Sequence, residues 1–494
     1  MTDVVASRSP FIDGTFVAGQ GDPFTITDPG TEESVCTVEG ASLDQFAAAI
    51  AAARRAFDTG PWPRMTVGER CDALLRFADA LEARAGVLTD TVIAEAGCPL
   101  GFTQMMQVGM GLASSRDLVG LARTLPEWEH NEMPLSEYTA GNKVKLSIRR
   151  YEPVGVVAAI SPSNFPFTTN MWKIVPALAT GCTVVLRPSP ATPLEATILG
   201  EAAADAGLPP GALNVVLESG PEGAELLTTH PDVDLVSFTG SSAVGRRIGA
   251  QAGAGLKRQI LELGGKSVQL YLPDALEDGP GGAAMGAFGV FFAHAGQGCS
   301  LQTRMLVPQS HKAAVLDAVA ATAGSLAIGD TRDPATMLGP VVSAASRERI
   351  EGLVAAGVDA GGRVVAGGAR PASRDRGYYY EATVVDIDDN ANPLAQTEVF
   401  GPVITVQGYA DLDEAVAITN DTTYDLSAGV YTRDLGMGLD LSHRIRTGTV
   451  QVNTGAANAF TPMGGYKHSG IGRERGVLGI RAFQQAKHVV VGTL

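Results

Sequence analysis

Apolar residues recur at helical spacing near the start of the chain: Phe46, Ile50, Ala53 and Phe57 share one face, which predicts an amphipathic helix packed on something larger. A hydroxyl residue followed three positions on by Gln or Glu opens this helix and the next, at Ser42/Gln45 and Thr66/Glu69. That spacing lets each of the two side chains satisfy a backbone amide left free by the helix start. The first 100 residues therefore read as a short strand region followed by two structural helices. From about residue 150 the pattern changes to short β-branched runs separated by helical stretches: VGVVAAI from Val154, TVVL from Thr183, NVVL from Asn214 and LVSF from Leu235. Such alternation predicts parallel strands with crossover helices, a doubly wound sheet. It begins again after Gly265, with a strand near Val268–Leu272, an apolar helix ending near Ala295 and a strand near Arg304–Val307, so a second α/β domain is expected. Charged and apolar residues alternate from Lys143 to Arg149 and the chain closes on HVVVGTL; both read as strands outside either core. Neither an internal repeat nor a low-complexity tract is present.

Length agrees with several domains, since 494 residues exceed what one hydrophobic core holds. A net charge of −16 with no basic run argues against nucleic acid and acidic membrane surfaces as partners. Five scattered cysteines, Cys36, Cys71, Cys98, Cys182 and Cys299, lack the paired spacings of zinc sites or redox dithiols and fit a reducing cytoplasm. The start, Met1-Thr2-Asp3, is unlike a signal peptide, and no apolar run reaches the length of about 18 residues that spans a bilayer. The seven histidines do not cluster with ligand spacing, so no metal is expected.

Three segments carry candidate chemistry. SFTGSSAVG (Ser237–Gly245) ends a predicted strand and opens a helix, where free amides and the positive end of the helix dipole suit a pyrophosphate; a plain strand-to-helix turn fits equally well. LELGGKS places Glu262 before two glycines, and GQGCS places Cys299 among small residues, where substrate and backbone amides can approach a thiol closely. Taken alone, a free cysteine is more often inert packing and a lone glutamate more often a solvated carboxylate. His294, five residues before Cys299, suggests a Cys–His pair, but at the end of an apolar helix it reads as a satisfied core histidine.

Nine segments in order, FIDGTFV, SPSNFPF, WKIVPALATGCTVVLRP, FTGSSAVG, LELGGKS, GQGCS, EVFGPV, GTVQVN and PMGGYKHSGIGRE, are similar to the aldehyde dehydrogenase superfamily, essentially from end to end. The resemblance implies an α/β fold with a Rossmann-type cofactor domain (1–131 and 152–261), an α/β catalytic domain (262–468) and a small β oligomerisation arm (132–151 and 469–494). It implies a homodimer or homotetramer that oxidises a small aldehyde with NAD, or NADP, as cofactor. Cys299 aligns with the nucleophile that forms a thiohemiacetal and then a thioester, and Asn164, together with the Cys299 amide, with the donors to the alkoxide. Glu262 aligns with the base that activates the hydrolytic water, and Lys173 and Glu474 with groups that pass protons away from it. Cofactor contacts are expected from Ile160, Ser161, Arg187, Ser189, Gly240, Ser241, Gly245 and Leu263, with Glu398 on the nicotinamide ribose and Phe400 beside it. Phe165, Met171, Trp172 and Phe460 are expected to line the substrate tunnel.

Departures from the family pattern are few. Ser163 and Met463 replace common aromatic residues and are expected to alter packing. Arg187 and Pro190 stand where NAD-preferring members often carry Lys and Glu, which predicts weak discrimination against NADP, with Arg187 free to pair with the extra phosphate. The opposing expectation is that Arg187 caps its strand and points to solvent while Glu218 supplies a carboxylate. EDGPGG, between Glu262 and Cys299, reads as a lengthened surface loop. A CoA-acylating enzyme and a non-catalytic relative are the alternatives. The presence of Glu262 argues against the first, and Cys299, Glu262, Asn164 and Glu398 together against the second. Residues 454–461 hold no arginine for a substrate carboxylate and no aromatic box for a quaternary amine, so an aliphatic or aromatic aldehyde is expected.

Overall fold

The computed structural model describes residues 7–134, 136, 145–455 and 458–492. Of the positions singled out above, Met1, Thr2, Asp3, Lys143, Val144, Ala456, Ala457, Thr493 and Leu494 lie outside them.

The β-branched runs form a parallel sheet because each is short, wholly buried and followed by a helix that carries the chain back across one face. In chain order its elements are β1 (Val156–Ile160), α1 (Pro166–Thr180), β2 (Thr183–Arg187), α2 (Leu194–Asp205), β3 (Leu213–Val215), α3 (Glu222–Thr229), β4 (Leu235–Thr239), α4 (Ser242–Ala254) and β5 (Arg258–Glu262). The five strands lie in the order β3-β2-β1-β4-β5, all parallel. The direction of winding reverses between β1 and β4, which opens a crevice at their C-terminal ends, the usual ligand position of such sheets. Phe11–Ile12 pairs antiparallel with β3 at one edge, and Gly470–Ile471 with β5 at the other.

A second sheet follows: β6 (Val268–Tyr271), α5 (Gly281–Phe292), β7 (Arg304–Pro308), α6 (Lys312–Ser325), β8 (Thr383–Ile387), β9 (Val403–Tyr409), β10 (Ser427–Tyr431) and β11 (Thr449–Val452). Its parallel order is β8-β9-β7-β6-β10-β11, extended beyond β8 by the antiparallel strand Arg363–Ala366. Strands Trp128–His130, Lys145–Pro153 and Gln484–Gly492 form a separate antiparallel sheet, with a continuous register from Gln484 opposite Pro153 to Gly492 opposite Lys145. Among the described residues no helix is long and apolar enough to cross a membrane.

Both capping boxes form, at Ser42 and Thr66. Phe46, Ile50 and Ala53 are buried, whereas Phe57 is only half-buried beneath the Arg54 guanidinium. The first 100 residues hold a third long helix, Ala85–Ala96, closed by Gly97 in a left-handed conformation. Its buried side mixes Thr89, Thr91 and Glu95 with apolar residues, so it lacks the amphipathic contrast that predicts the first two. A π-helical stretch, Thr103–Gly109, follows. In EDGPGG only the first residues form a surface turn, and its last two glycines open α5. The helix expected to run to Ala295 stops at Phe292, because His294, Ala295 and Gly296 all adopt positive φ.

Candidate active site

The crevice between β1 and β4 is built from strand ends. β1 ends on Ile160, which is buried, and the next residue, Ser161, holds a buried hydroxyl with no protein partner. β4 leads through Gly240 to Ser241, which caps α4 by accepting the Val244 amide at 3.3 Å. Gly245, in the first turn of α4, packs on the Leu263 side chain, bringing the helix N-terminus close to the sheet. A buried hydroxyl without a protein partner after β1 and a helix N-terminus after β4 suit the phosphates and ribose of a dinucleotide.

At the outer end of β2, Arg187 is buried. Its Nε donates to Glu218 Oε1 at 2.8 Å and its Nη2 to the Gly220 carbonyl at 2.7 Å. The Glu218 carboxylate also accepts the Gly223 amide at 2.6 Å and the Ala224 amide at 2.9 Å. Both expectations for this corner are therefore corrected. Arg187 does not point to solvent, and Glu218 is occupied by three hydrogen bonds, from Arg187, Gly223 and Ala224. A buried arginine recruits the nearest carboxylate because an unpaired charge there is costly. Ser189, half-buried, accepts the Ala191 amide at 3.3 Å, and Pro190 follows it in the turn.

LELGGKS runs off the end of β5. Gly265 donates its amide to Glu398 Oε1 at 3.0 Å, and the place where a Cβ would stand is filled by the Cys299 carbonyl. Only glycine permits this crossing, so the double glycine joins the Cys299 loop to the Glu398 carboxylate. Burial pushes the Glu398 carboxyl up to about 7, against the lowering effect of the Gly265 amide, Arg349 and Lys266. Phe400 beside it adopts φ 55°, a strained conformation of the kind that gathers at functional sites.

Cys299 is half-buried, and its amide donates to no acceptor among the described residues. Burial, and then the carboxylates of Glu398, Glu262 and Glu474, push its thiol up to about 12. The loop before it is pinned by Gln297. The side-chain oxygen of this residue accepts the Val342 amide at 2.9 Å, and its nitrogen donates to the His294 carbonyl at 3.0 Å. Asn164 Nδ2 donates to the Gln297 carbonyl at 2.7 Å, leaving its second N–H for a ligand. His294 is a core residue, as expected, but not a satisfied one: both ring nitrogens lack protein partners, and burial lowers its pKa to about 4. The reversed backbone turns the ring onto Phe165, edge-on at 6.3 Å.

Glu262, the last residue of β5, is 2% exposed, and neither carboxylate oxygen has a protein partner. Burial first, then Glu474, holds it well above the ordinary carboxylate range, opposed by Lys173, Arg473 and Arg475. Lys173 Nζ uses all three of its donors, on Glu474 Oε1 at 2.5 Å, Thr239 Oγ1 at 2.8 Å and Ser237 Oγ at 3.1 Å. Phe165 packs edge-on against Phe102 and His294, Trp172 lies against the Arg475 guanidinium and Phe460 is exposed, but Met171 has no accessible surface and belongs to the core. Met171 therefore drops out as a lining residue.

Sequence reasoning missed Gln297 and Arg475. The first is visible only as a neighbour of Cys299, and the second carries no spacing signal. No group of three or more His, Cys, Asp or Glu among the described residues is placed to hold a metal ion.

Comparison with known proteins gives this arrangement its context. The model of the aldehyde dehydrogenase family matches residues 16–489. The chain is 37% identical over 486 residues to geranial dehydrogenase of Castellaniella defragrans, covering 97% of this chain and 98% of that protein. An aldehyde dehydrogenase of Mycobacterium tuberculosis, solved in complex with NAD+, is 39% identical and superposes with a TM-score of 0.92, covering 98% of each chain. An aldehyde dehydrogenase of Pseudomonas syringae, solved as a mutant with NAD+ and octanal, is 34% identical with a TM-score of 0.92, covering 98% of this chain and 96% of that one. A match over nearly all of the sequence, with solved relatives sharing the fold throughout, establishes that the chain belongs to the aldehyde dehydrogenase family.

Proposed function

We propose that the chain oxidises a neutral, largely apolar aldehyde to its carboxylic acid through a thioester on Cys299, with Glu262 as the base that admits water. The observation that carries this reading is the buried Glu262 carboxylate. Both of its oxygens are free of protein donors, and it lies within electrostatic reach of the Cys299 sulfur.

In this reading the Cys299 thiolate attacks the aldehyde carbon, and the new oxyanion takes hydrogen bonds from the free N–H of Asn164 and the amide of Cys299. NAD, which Ser161, Ser241 and Glu398 would hold, supplies the hydride acceptor when bound. Glu262 then takes a proton from a water, whose oxygen attacks the thioester carbon and releases the acid and the Cys299 sulfur. Lys173, tied to Glu474 beside Glu262, offers an exit for that proton. Sheets and helices support division into a cofactor domain (1–131 and 152–261), a catalytic domain (262–468) and an arm (132–151 and 469–494). Edge strand Gln484–Gly492, with Val490 and Val491 exposed, favours a homo-oligomer, and a cytoplasmic setting fits the unpaired cysteines.

Substrate class follows from the walls. Phe102, Phe165 and Phe292 form a chain of edge-on rings beside Asn164, at 5.9 and 5.5 Å between centroids. Incubation with NAD and a panel of aldehydes of graded length and charge should give NADH and acid fastest with neutral aliphatic or aromatic members and without CoA. A strict requirement for CoA would overturn the hydrolytic reading.

The same structure sets an expectation for cofactor choice. Pro190 cannot accept a ribose hydroxyl or repel a phosphate, Glu218 is occupied, and Arg187 is already neutralised. NAD therefore loses charge-assisted hydrogen bonds worth about 1.5–3 kcal/mol and should be preferred over NADP only modestly. Measured as kcat/KM under identical conditions, a preference beyond about 10⁴-fold would require an acidic selector elsewhere in the site.

A further inference from the structure

Glu262 is fixed through its backbone but not through its carboxylate. Its main chain pairs with Gly470 on the edge strand, and its carbonyl accepts the Gly240 amide at 3.0 Å. The carboxylate oxygens receive no hydrogen bond among the described residues. A buried side chain with rotatable bonds and no polar partner is placed by what it packs against. Here that surface is Gly464. A methyl group on its Cα would stand 2.7 Å from Glu262 Oε1, well inside the 3.4 Å of ordinary contact, and 2.8 Å from Arg473 Cδ and from the Gly472 carbonyl oxygen. Gly464 also has φ 149°, a conformation that favours glycine.

The strap that carries it, Met463–Gly465, is held on every side. Met463 and Glu474 exchange two hydrogen bonds, of 2.7 and 2.8 Å. The Gly464 carbonyl lies against Gly448, just before β11, in the space that a side chain there would need. Gly465 is pressed on Ser469 in the same way, and its carbonyl accepts Arg473 Nη1 at 3.2 Å. Arg473 is itself tied down, donating also to the Gly472 carbonyl at 2.6 Å and stacking on Tyr466. Of the groups around position 464, only the end of the Glu262 side chain is free to turn away.

We propose that Gly464 is a positioning residue for the base: the space left by its missing side chain is the seat of the Glu262 carboxylate during deacylation. A side chain at 464 would leave the strap, the carbonyls and Arg473 in place and drive the carboxylate off its seat. Displacement of a reacting group by about 1 Å can cost 10²-fold in the step it serves. Formation of the thioester, which uses Cys299 and Asn164, would be left intact.

The inference rests on Glu262 being the base, and its test keeps the two apart. The full chain and its variants G464A, E262Q, E262D, G464A/E262D and G472A are mixed rapidly with NAD and hexanal, and NADH is followed through the first turnover and into the steady state. G464A should keep its first burst and lose about 10²-fold in steady turnover. G472A is the control, since it places alanine at φ 87° in the same segment with no neighbour nearer than 3.4 Å. Its ratio of burst to steady rate should match the wild type even if its thermal midpoint falls. Aspartate is shorter by one methylene and withdraws the carboxylate from the seat, so G464A should lower the thermal midpoint less in the E262D background than in the wild type. If G464A does not fold, recovery of a folded G464A/E262D carries the same conclusion. A double variant that also fails to fold, or an equal thermal loss in both backgrounds, places the cost in the backbone and defeats the proposal. So does a burst that falls in step with steady turnover in G464A. Slow E262Q beside a wild-type G464A would defeat the seat alone, whereas a wild-type rate in E262Q would defeat the base reading itself.

Discussion

Cys299→Ala should leave a folded protein that binds NAD and oxidises no aldehyde. The side chain is half-buried and adds little to the core, and the Gly265–Cys299 crossing uses the carbonyl of residue 299, which alanine retains. What disappears is the sulfur proposed to bond to the aldehyde carbon, and neither His294, turned onto Phe165, nor the other four cysteines, all buried, can replace it. Turnover should fall to background while NAD binding, followed by fluorescence quenching or calorimetry, is unchanged. Retention of more than a small fraction of wild-type turnover would rule out the covalent route.

Glu262→Gln should slow steady turnover by about 10²–10⁴-fold, the usual worth of a general base, while a single burst of NADH formation survives. Glutamine keeps the volume in a wholly buried position, so the loss is chemical. The pH dependence has a definite sign. Burial and Glu474 raise the carboxyl of Glu262 well above its ordinary range, so the basic form gains population as pH rises and kcat should climb with it. That rising limb should vanish in the glutamine variant. A wild-type steady-state rate would remove Glu262 from deacylation. Loss of the burst as well would show that this residue also draws the proton from Cys299.

Much of this was legible in the sequence because the relevant features are local. Capping boxes are three-residue patterns, and both formed. β-branched runs at regular intervals marked four of the five parallel strands of the first sheet, and the renewed alternation two of the six in the second, within a residue or two. Glu262 and Cys299 stood out through the glycines beside them, whose purpose, letting a carbonyl and a carboxylate meet across one residue, became plain only in three dimensions. What could not be read depends on contacts between distant segments. Arg187 found Glu218 31 positions away, Met171 turned inward because of what packs over α1, and Gln297 acts through Val342. The reversed turn at His294–Gly296 escaped because two of its three residues are not glycine, so no local preference announces it.

The ion pair between Lys173 and Glu474 joins residues 301 positions apart. During synthesis at about 5–20 residues per second, the ammonium on α1 waits many seconds for its carboxylate after the helix that carries it has been made. Until then the first sheet either keeps water around Lys173 or leaves α1 undocked, since a buried lysine with no counter-charge is strongly disfavoured. Gly470–Ile471, the last strand added to that sheet, arrives with the same segment. A nascent chain therefore acquires its tightly closed centre only near the end of translation, and an aldehyde meeting a half-made chain finds a thiol but no finished site in which to react.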